Sequence, residues 1–178
     1  MNIKVEDLAS IKIKKLEKYV ENTLAAVPQE HLRGLTKIVF VDSITEPRLN
    51  AAQRAQLPAL YHPRMGGQTA WAEVALSVLI PRKKFHERLL SGLAIKPNIA
   101  QAVLSLIAQH YYLTLAKGIK KNQLEAACRI YAEKAFEKWR EQQGGIRMKL
   151  TKPFRPFLDK MAKKLSKKYR AEMSSKSK

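Results

Sequence analysis

A histidine and a glutamate lie on two consecutive helical segments with the types and order of a zinc-binding pair. His110 ends the segment "AVLSLIAQH", and Glu125 belongs to the apolar run "LEAACRIYA". Zinc peptidases of the H-E-x-x-H type need a histidine one turn earlier and an adjacent glutamate as the general base. Those two positions are Leu106 and Ile107. His110 is therefore without the other histidine and without the catalytic carboxylate that such a motif requires.

The stretch from about residue 28 to residue 139 resembles a family of small bacterial zincin-like peptidases. His110 matches the second histidine of the family's first motif, and "EAACRIYA" resembles its second motif, with Glu125 at the ligand position. The segment "LPALYHP" and the strand after it are also similar to the upstream part of such domains. The resemblance implies a zincin-like fold, a lost activity with no catalytic residue, and His110 and Glu125 as vestigial metal ligands. It implies no cofactor, with zinc as the alternative.

Both residues also have a structural interpretation. His110 shares an apolar stripe with core positions, which favours a packed histidine that makes one hydrogen bond. Asn122 and Glu125 have the spacing of a capping box, in which the carboxylate returns to the backbone of the N-cap residue. Cys128 lies on the apolar face of the same helix and is predicted to be a small hydrophobic residue rather than a nucleophile.

Three further residues are candidates to complete the metal site, namely His62, His86 and Glu73. The competing enzymatic hypothesis is that one of them helps His110 and Glu125 to bind zinc and to hydrolyse a peptide. The sequence also favours a simpler interpretation, in which His62 packs in a loop and His86 lies on a solvated helix face.

Charge is distributed unevenly along the chain. The net charge is +19, and residues 147–178 contain 12 Lys and Arg against 2 acids, a net +10 (12 minus 2). Such an excess favours a polyanionic partner, most commonly RNA or DNA.

The basic segment also carries apolar residues at helical spacing from Phe154 to Tyr169, which predicts an amphipathic basic helix that begins near Pro156. We expect it to bind a phosphate backbone. The alternatives are docking on a protein, contact with an anionic membrane surface, or a solubilising tail. The predicted nucleic-acid-binding residues are Lys149, Lys152, Arg155, Lys160, Lys163, Lys164, Lys167, Lys168 and Arg170.

The order of predicted elements indicates an α+β fold with few strands. The sequence predicts a helix over residues 5–24, a strand over 36–44, a loop over 45–67 with one helical turn, and a strand over 70–80. A short basic helix ending near Gly92, a helix over 99–117 capped by Asn98 and ended by Gly118, and a helix capped by Asn122 follow. The predicted domains are a zincin-like domain, 1–145, and a basic tail, 146–178.

Composition indicates the cellular compartment in which the protein is expected. The chain is 46% hydrophobic and contains no apolar run of membrane-spanning length. Its first residues lack the pattern of a secretory signal, and its single cysteine fits a reducing compartment. The sequence therefore predicts a cytoplasmic protein whose partner is a nucleic acid. A further hypothesis is a structural protein that docks another protein chain.

Overall fold

The computed structural model describes residues 3–80, 85–116 and 118–143, with the backbone alone for 85–94. It confirms an α+β fold with a small sheet and long helices. In chain order the elements are β1 (Lys4–Asp7), α1 (Leu16–Leu24), a 3-10 turn (Gln29–Leu32), β2 (Leu35–Val41), α2 (Ala51–Gln56), β3 (Ala59–His62), β4 (Ala70–Ala75), α3 (Leu76–Leu79), α4 (Phe85–His110), a π-helical turn (Tyr111–Leu115) and α5 (Lys121–Gln143).

The four strands form one mixed sheet in the order β1-β2-β4-β3. The first three are parallel, and β3 lies antiparallel to β4 at one edge. Because side chains alternate along a strand, β2 and β4 turn one set of residues toward α1 and α4. That inner face carries Ile38, Phe40, Ala72 and Val74, all at most 1% exposed. On α4, Ile99 to Ile107 provide most of the facing core.

The opposite, outer face of the sheet carries a row of larger polar and aromatic side chains. The strand register aligns Lys4 with Lys37, Lys37 with Trp71, and Trp71 with His62 across the four strands. The Lys37 ammonium lies 5.3 Å from the centre of the Trp71 ring, in a cation–π contact. We call these four residues the cross-strand row.

The predicted N-terminal helix is wrong in its first part. Residues Lys4–Asp7 form β1, and the helix begins only at Leu16. Leu8, which the helical pattern assigns to the apolar face, is 68% exposed. The reason is a tertiary one, because β1 pairs in parallel with β2 and this pairing outweighs local periodicity.

The second predicted strand is correct at its start and wrong at its end. β4 stops at Ala75, and Leu76–Leu79 form a short helix. Ala75 pairs with Val41, the last residue of β2, so the chain beyond it has no strand to pair with there. The predicted helical turn at 51–56 is confirmed as α2, whereas β3 lies inside the segment predicted to be a loop.

The two helices predicted around Gly92 and Asn98 are a single helix. α4 runs from Phe85 to His110 with Pro97 inside it. Asn98 is therefore not an N-cap, and its side-chain amide donates to the Leu79 carbonyl at 3.1 Å. This bond ties α4 to α3. Helix propensity alone does not determine whether two predicted helices form one continuous helix.

The α-helical part of α4 also ends earlier than predicted. After His110 the chain makes a π-helical turn, in which the Ala116 amide donates to the Tyr111 carbonyl at 2.8 Å. Gly118 has a φ of 87°, a left-handed conformation that favours glycine after a helix. α5 then begins at Lys121, so Asn122 lies within the helix and is not its N-cap. The predicted capping box is therefore wrong.

Residues through Trp139 form one compact unit, and the chain from Arg140 onward forms a second. Of the second unit the structure describes residues 140–143, the last turn of α5. The predicted basic tail and the boundary at 145 lie outside the described residues. No helix in the described part of the chain is long and apolar enough to cross a membrane.

Candidate functional site

His110 is completely buried at the end of α4, and both of its ring nitrogens are hydrogen-bonded. Its Nε2 lies 3.0 Å from the Arg33 carbonyl oxygen, and its Nδ1 lies 2.9 Å from the Tyr61 hydroxyl. A carbonyl oxygen only accepts, so Nε2 carries the proton and Nδ1 accepts from Tyr61. The Tyr61 oxygen is in turn 2.8 Å from the Thr114 hydroxyl. The neutral imidazole is therefore satisfied on both sides.

Three separate elements build this arrangement, which we call the His110 network. Tyr61 comes from β3, Thr114 from the π-helical turn, and the Arg33 carbonyl from the segment just before β2. Gly34 follows Arg33 with a φ of 91°, which lets the backbone turn at that point. Burial lowers the pKa of His110, and the hydrogen bond to Arg33 offsets part of that effect.

The prediction that His110 is a packed core histidine agrees with this geometry. Leu106 and Ile107, at the positions of the missing ligand and base, are at most 1% exposed and belong to the same core. A metal ion needs a free lone pair on one ring nitrogen. In the His110 network neither nitrogen has one, so the residue as placed does not fit a zinc ligand.

Glu125 lies in a different environment. It is exposed on α5 and lines a groove between α4 and α5, together with Gln101, Ser105 and Gln109. The structure does not bring it to a ring nitrogen of His110, since both nitrogens have other partners. Cys128 lines the same groove, is half-buried, and has a thiol pKa raised by burial. The metal-ligand role of His110 and Glu125 thus stays a prediction of the resemblance.

A second histidine, His62, lies at the edge of the sheet beside a buried carboxylate. Its Nε2 is 3.3 Å from Oε2 of Glu73, a residue that is 1% exposed on β4. Glu73 also accepts hydrogen bonds from the Thr45 amide, at 3.2 Å, and from the Thr45 hydroxyl. Three donors therefore hold this carboxylate and offset the cost of burying its charge.

The other side of His62 is open to a second carboxylate and to a cavity. Oε2 of Glu46 lies 3.8 Å from Nδ1 of His62. The imidazole stacks on Trp71 with ring centroids 3.9 Å apart and planes 5° from parallel. A surface cavity of about 930 Å³ lies against this stack, and Glu46, Arg48 and Gln68 contribute to its lining. We call His62, Trp71, Glu46 and Glu73 the His62 cluster.

The sequence singled out His62 and Glu73 only as possible substitutes for the lost histidine. The structure brings these two together but does not place them with His110 or Glu125. Trp71 and Glu46 were not predicted as site residues. The alternation in "AWAEVA" was a usable signal, because it puts Trp71 and Glu73 on one face of a strand.

A third cluster contains rings from three elements. The rings of His31 and Tyr111 have centroids 4.2 Å apart and are tilted by 38°, and Nδ1 of His31 lies 2.7 Å from the Tyr131 hydroxyl. Tyr112 packs edge-on against Tyr111. Burial, followed by the nearby Tyr111 and Tyr112 and the Glu30 charge, raises the pKa of Tyr131 to about 12. The four rings pack against one another, which agrees with a structural role.

The predicted nucleic-acid-binding residues, from Lys149 to Arg170, and the side chain of His86 lie outside the described residues. Within the described part, no three His, Cys, Asp or Glu side chains form a group that could hold a metal ion. Comparisons of the chain with protein-family models, with curated proteins and with solved structures return no match. The zincin-like resemblance therefore stays an inference from the residues quoted above.

Proposed function

We propose that this protein is a non-catalytic, zincin-like α+β protein that binds nucleic acid through its basic C-terminal segment. The observation that carries the proposal is the net charge of +10 in residues 147–178, where apolar side chains recur at helical spacing among the lysines. Cations on one segment neutralise phosphates and release their counterions, which gives affinity without reading sequence.

The described unit supports the non-catalytic part of the proposal. The positions of the first metal ligand and of the general base are the buried Leu106 and Ile107. His110 uses both ring nitrogens in hydrogen bonds, so a metal would bind only after one of those bonds opened. With buried apolar residues at these two positions, α4 serves as scaffold.

The described unit also supports binding to a polyanion. Lys14, Lys15 and Lys18 are exposed around the start of α1. The ammonium of Lys96 on α4 lies 4.7 Å from the ring centre of Tyr19, and Tyr19 is one helical turn after Lys15. The lysines at this contact between α1 and α4 enlarge the positive surface that the folded unit itself offers to phosphates.

The test is binding of labelled single-stranded RNA and duplex DNA to the full chain across a salt series. We expect log affinity to fall linearly with log salt concentration from about 50 to 200 mM. The variant K163Q/K164Q/K167Q should weaken binding to every sequence and reduce the magnitude of the salt slope by about 2, since each lost phosphate contact contributes about 0.7 to 0.9.

The matched control is K121Q/K134Q/K138Q, which removes the same charge from exposed positions on α5. It should leave the salt slope close to that of the unchanged protein. Equal slopes for both variants would mean that net charge, and not the C-terminal segment, drives association. An absence of salt-sensitive binding by the unchanged chain would contradict the proposal.

A further inference from the structure

The cavity beside the His62 cluster is lined by side chains that can contact a planar, polar ligand. Its volume of about 930 Å³ lies in the upper range for small-molecule sites. It opens on the outer face of the sheet, against loop residues 45–49 and the turn after β3. The predicted binding of phosphates by the basic segment does not use this cavity.

The first feature of the cavity is a stacking platform. Trp71 and His62 are parallel at 3.9 Å, and the ammonium of Lys37 is over the Trp71 ring. One face of His62 is therefore covered by Trp71, while His62 also lines the cavity. A planar ligand on the remaining face of His62 continues the stack, in the way that unpaired bases stack on aromatic side chains.

The second feature is a fixed pair of acceptors at the wall. The Glu46 side chain is 24% exposed, and the Arg48 backbone amide donates to its Oε1 at 3.2 Å. Two further nitrogen groups, the His62 imidazole and the Arg48 guanidinium, lie 3.8 and 3.9 Å from this carboxylate. These contacts orient the carboxylate but leave it able to accept two short hydrogen bonds.

Among the nucleobases, guanine offers the matching donors. Its Watson–Crick edge carries two adjacent donors, the N1–H and the N2 amino group, which fit the two oxygens of one carboxylate. Adenine and cytosine present one amino donor next to an acceptor, and uracil presents one N–H between two acceptors. A carboxylate beside a stacked base therefore discriminates in favour of guanine.

The third feature is a cation at the rim. The Arg48 side chain is 81% exposed and lines the cavity. A base inserted against His62 would leave its ribose and phosphate outside, where the guanidinium can pair with the phosphate. The cavity thus provides a contact for each part of a nucleotide.

We infer that the cavity formed by His62, Trp71, Glu46 and Arg48 is a guanine subsite for single-stranded nucleic acid. The inference rests on the proposed function, because it names the base that this chain selects when its basic segment holds the phosphates. The basic segment gives affinity without sequence preference, and the cavity gives the preference.

The experiment uses guanosine. Because guanosine has no phosphate, its binding reports on the cavity independently of the basic segment. Guanosine is titrated into the full-length chain, and the indole N–H resonances of its two tryptophans are followed by NMR. Saturable movement of the Trp71 resonance is expected, with the Trp139 resonance unchanged as an internal control. Inosine, which lacks the 2-amino group, should bind about tenfold more weakly because one charge-assisted hydrogen bond is lost.

Two variants sharpen the result. Glu46→Gln replaces one acceptor by a donor, so it should abolish the difference between guanosine and inosine. Glu17→Gln, at an exposed position on α1, is the matched control and should keep that difference. The comparison of the two nucleosides on the unchanged chain needs no variant, so misfolding cannot hide the answer.

Several outcomes overturn the inference. They are no saturable movement of Trp71, equal affinities for guanosine and inosine, or tighter binding of adenosine. If these occur while oligonucleotides still bind with a steep salt dependence, the proposed function stands and the guanine subsite falls. Guanosine binding by a chain that binds no oligonucleotide would overturn the cavity as a subsite for nucleic acid.

Discussion

His110 and His62 are held by hydrogen bonds in opposite surroundings. His110 is fully buried and neutral, with a carbonyl and a hydroxyl as its partners. His62 lies between two carboxylates and beside a cavity, with its side chain 16% exposed. A histidine whose partners are all provided by its own fold serves stability. A histidine that lines a cavity remains available to a ligand.

The residues that carry the zincin-like resemblance also differ from the residues that the structure brings together. The residues that carry the zincin-like resemblance, His110 and Glu125, lie in a sealed core position and on an exposed helix face. The residues that the structure gathers, His62 and Glu73, were secondary candidates in the sequence. The residues proposed for base recognition therefore lie on the outer face of the sheet and not on α4, and the proposed phosphate contacts lie in the basic segment.

The largest expected effect is on stability at His110. His110→Ala should lower the free energy of unfolding by about 3 kcal/mol, because it opens a cavity, removes the donor to the Arg33 carbonyl and leaves the Tyr61 hydroxyl with Thr114 alone. His62→Ala should cost about 1.5 kcal/mol, since it removes one stacking contact and one hydrogen bond at a partly exposed site. Urea denaturation of both variants measures the two values. Equal costs would break the contrast between the two histidines.

A smaller effect is expected at Glu73. Glu73→Gln should lower the free energy of unfolding by about 2 kcal/mol, because the amide weakens the charge-assisted bonds from Thr45 and places an N–H group among donors. Glu133→Gln, on the exposed side of α5, is the control and should be neutral within about 0.5 kcal/mol. A neutral Glu73→Gln would mean that the carboxylate does not hold the His62 cluster in place.

The smallest expected effect is a pH dependence that His110 contributes. Burial lowers its pKa in the folded protein below the ordinary value of 6.5, so the unfolded chain takes up the proton first. The stabilising contribution is complete above about pH 6.5 and is lost as the pH falls toward the folded pKa. Between about pH 7.5 and pH 5.5 the unchanged protein should therefore lose more stability than His110→Gln. Parallel pH profiles would show that His110 is not buried as a neutral ring.

Local sequence patterns predicted several elements correctly. The β-branched run at 36–44 and the start of the strand at Ala70 match β2 and β4, and the turn at 51–56 is α2. The two strands were predictable because β-branched residues and alternating apolar positions favour extended chain. β1 and β3 were not, since four-residue strands depend on the partner strand more than on their own composition.

The candidate site was predictable only in part. The apolar stripe around His110 predicts a core histidine, and His62 and Glu73 enter the sequence prediction only as candidates to complete a metal site with His110. Trp71 and Glu46 were missed because the contact between them and His62 joins a loop, an edge strand and its neighbour. Strand pairing in register, Trp71 with His62, creates the stack, and no spacing within the sequence encodes it.

Three features can be read from the sequence alone, namely the α+β class, the apolar character of Leu106 and Ile107 one turn before His110, and the concentration of positive charge in residues 147–178. These properties depend on residue identity and local periodicity. The fold is needed to show that Tyr61 and the Arg33 carbonyl hydrogen-bond to His110, and that His62, Trp71 and Glu46 lie together beside a cavity. Such contacts join residues that are distant in the chain, and the pairing of strands and the packing of helices bring them together.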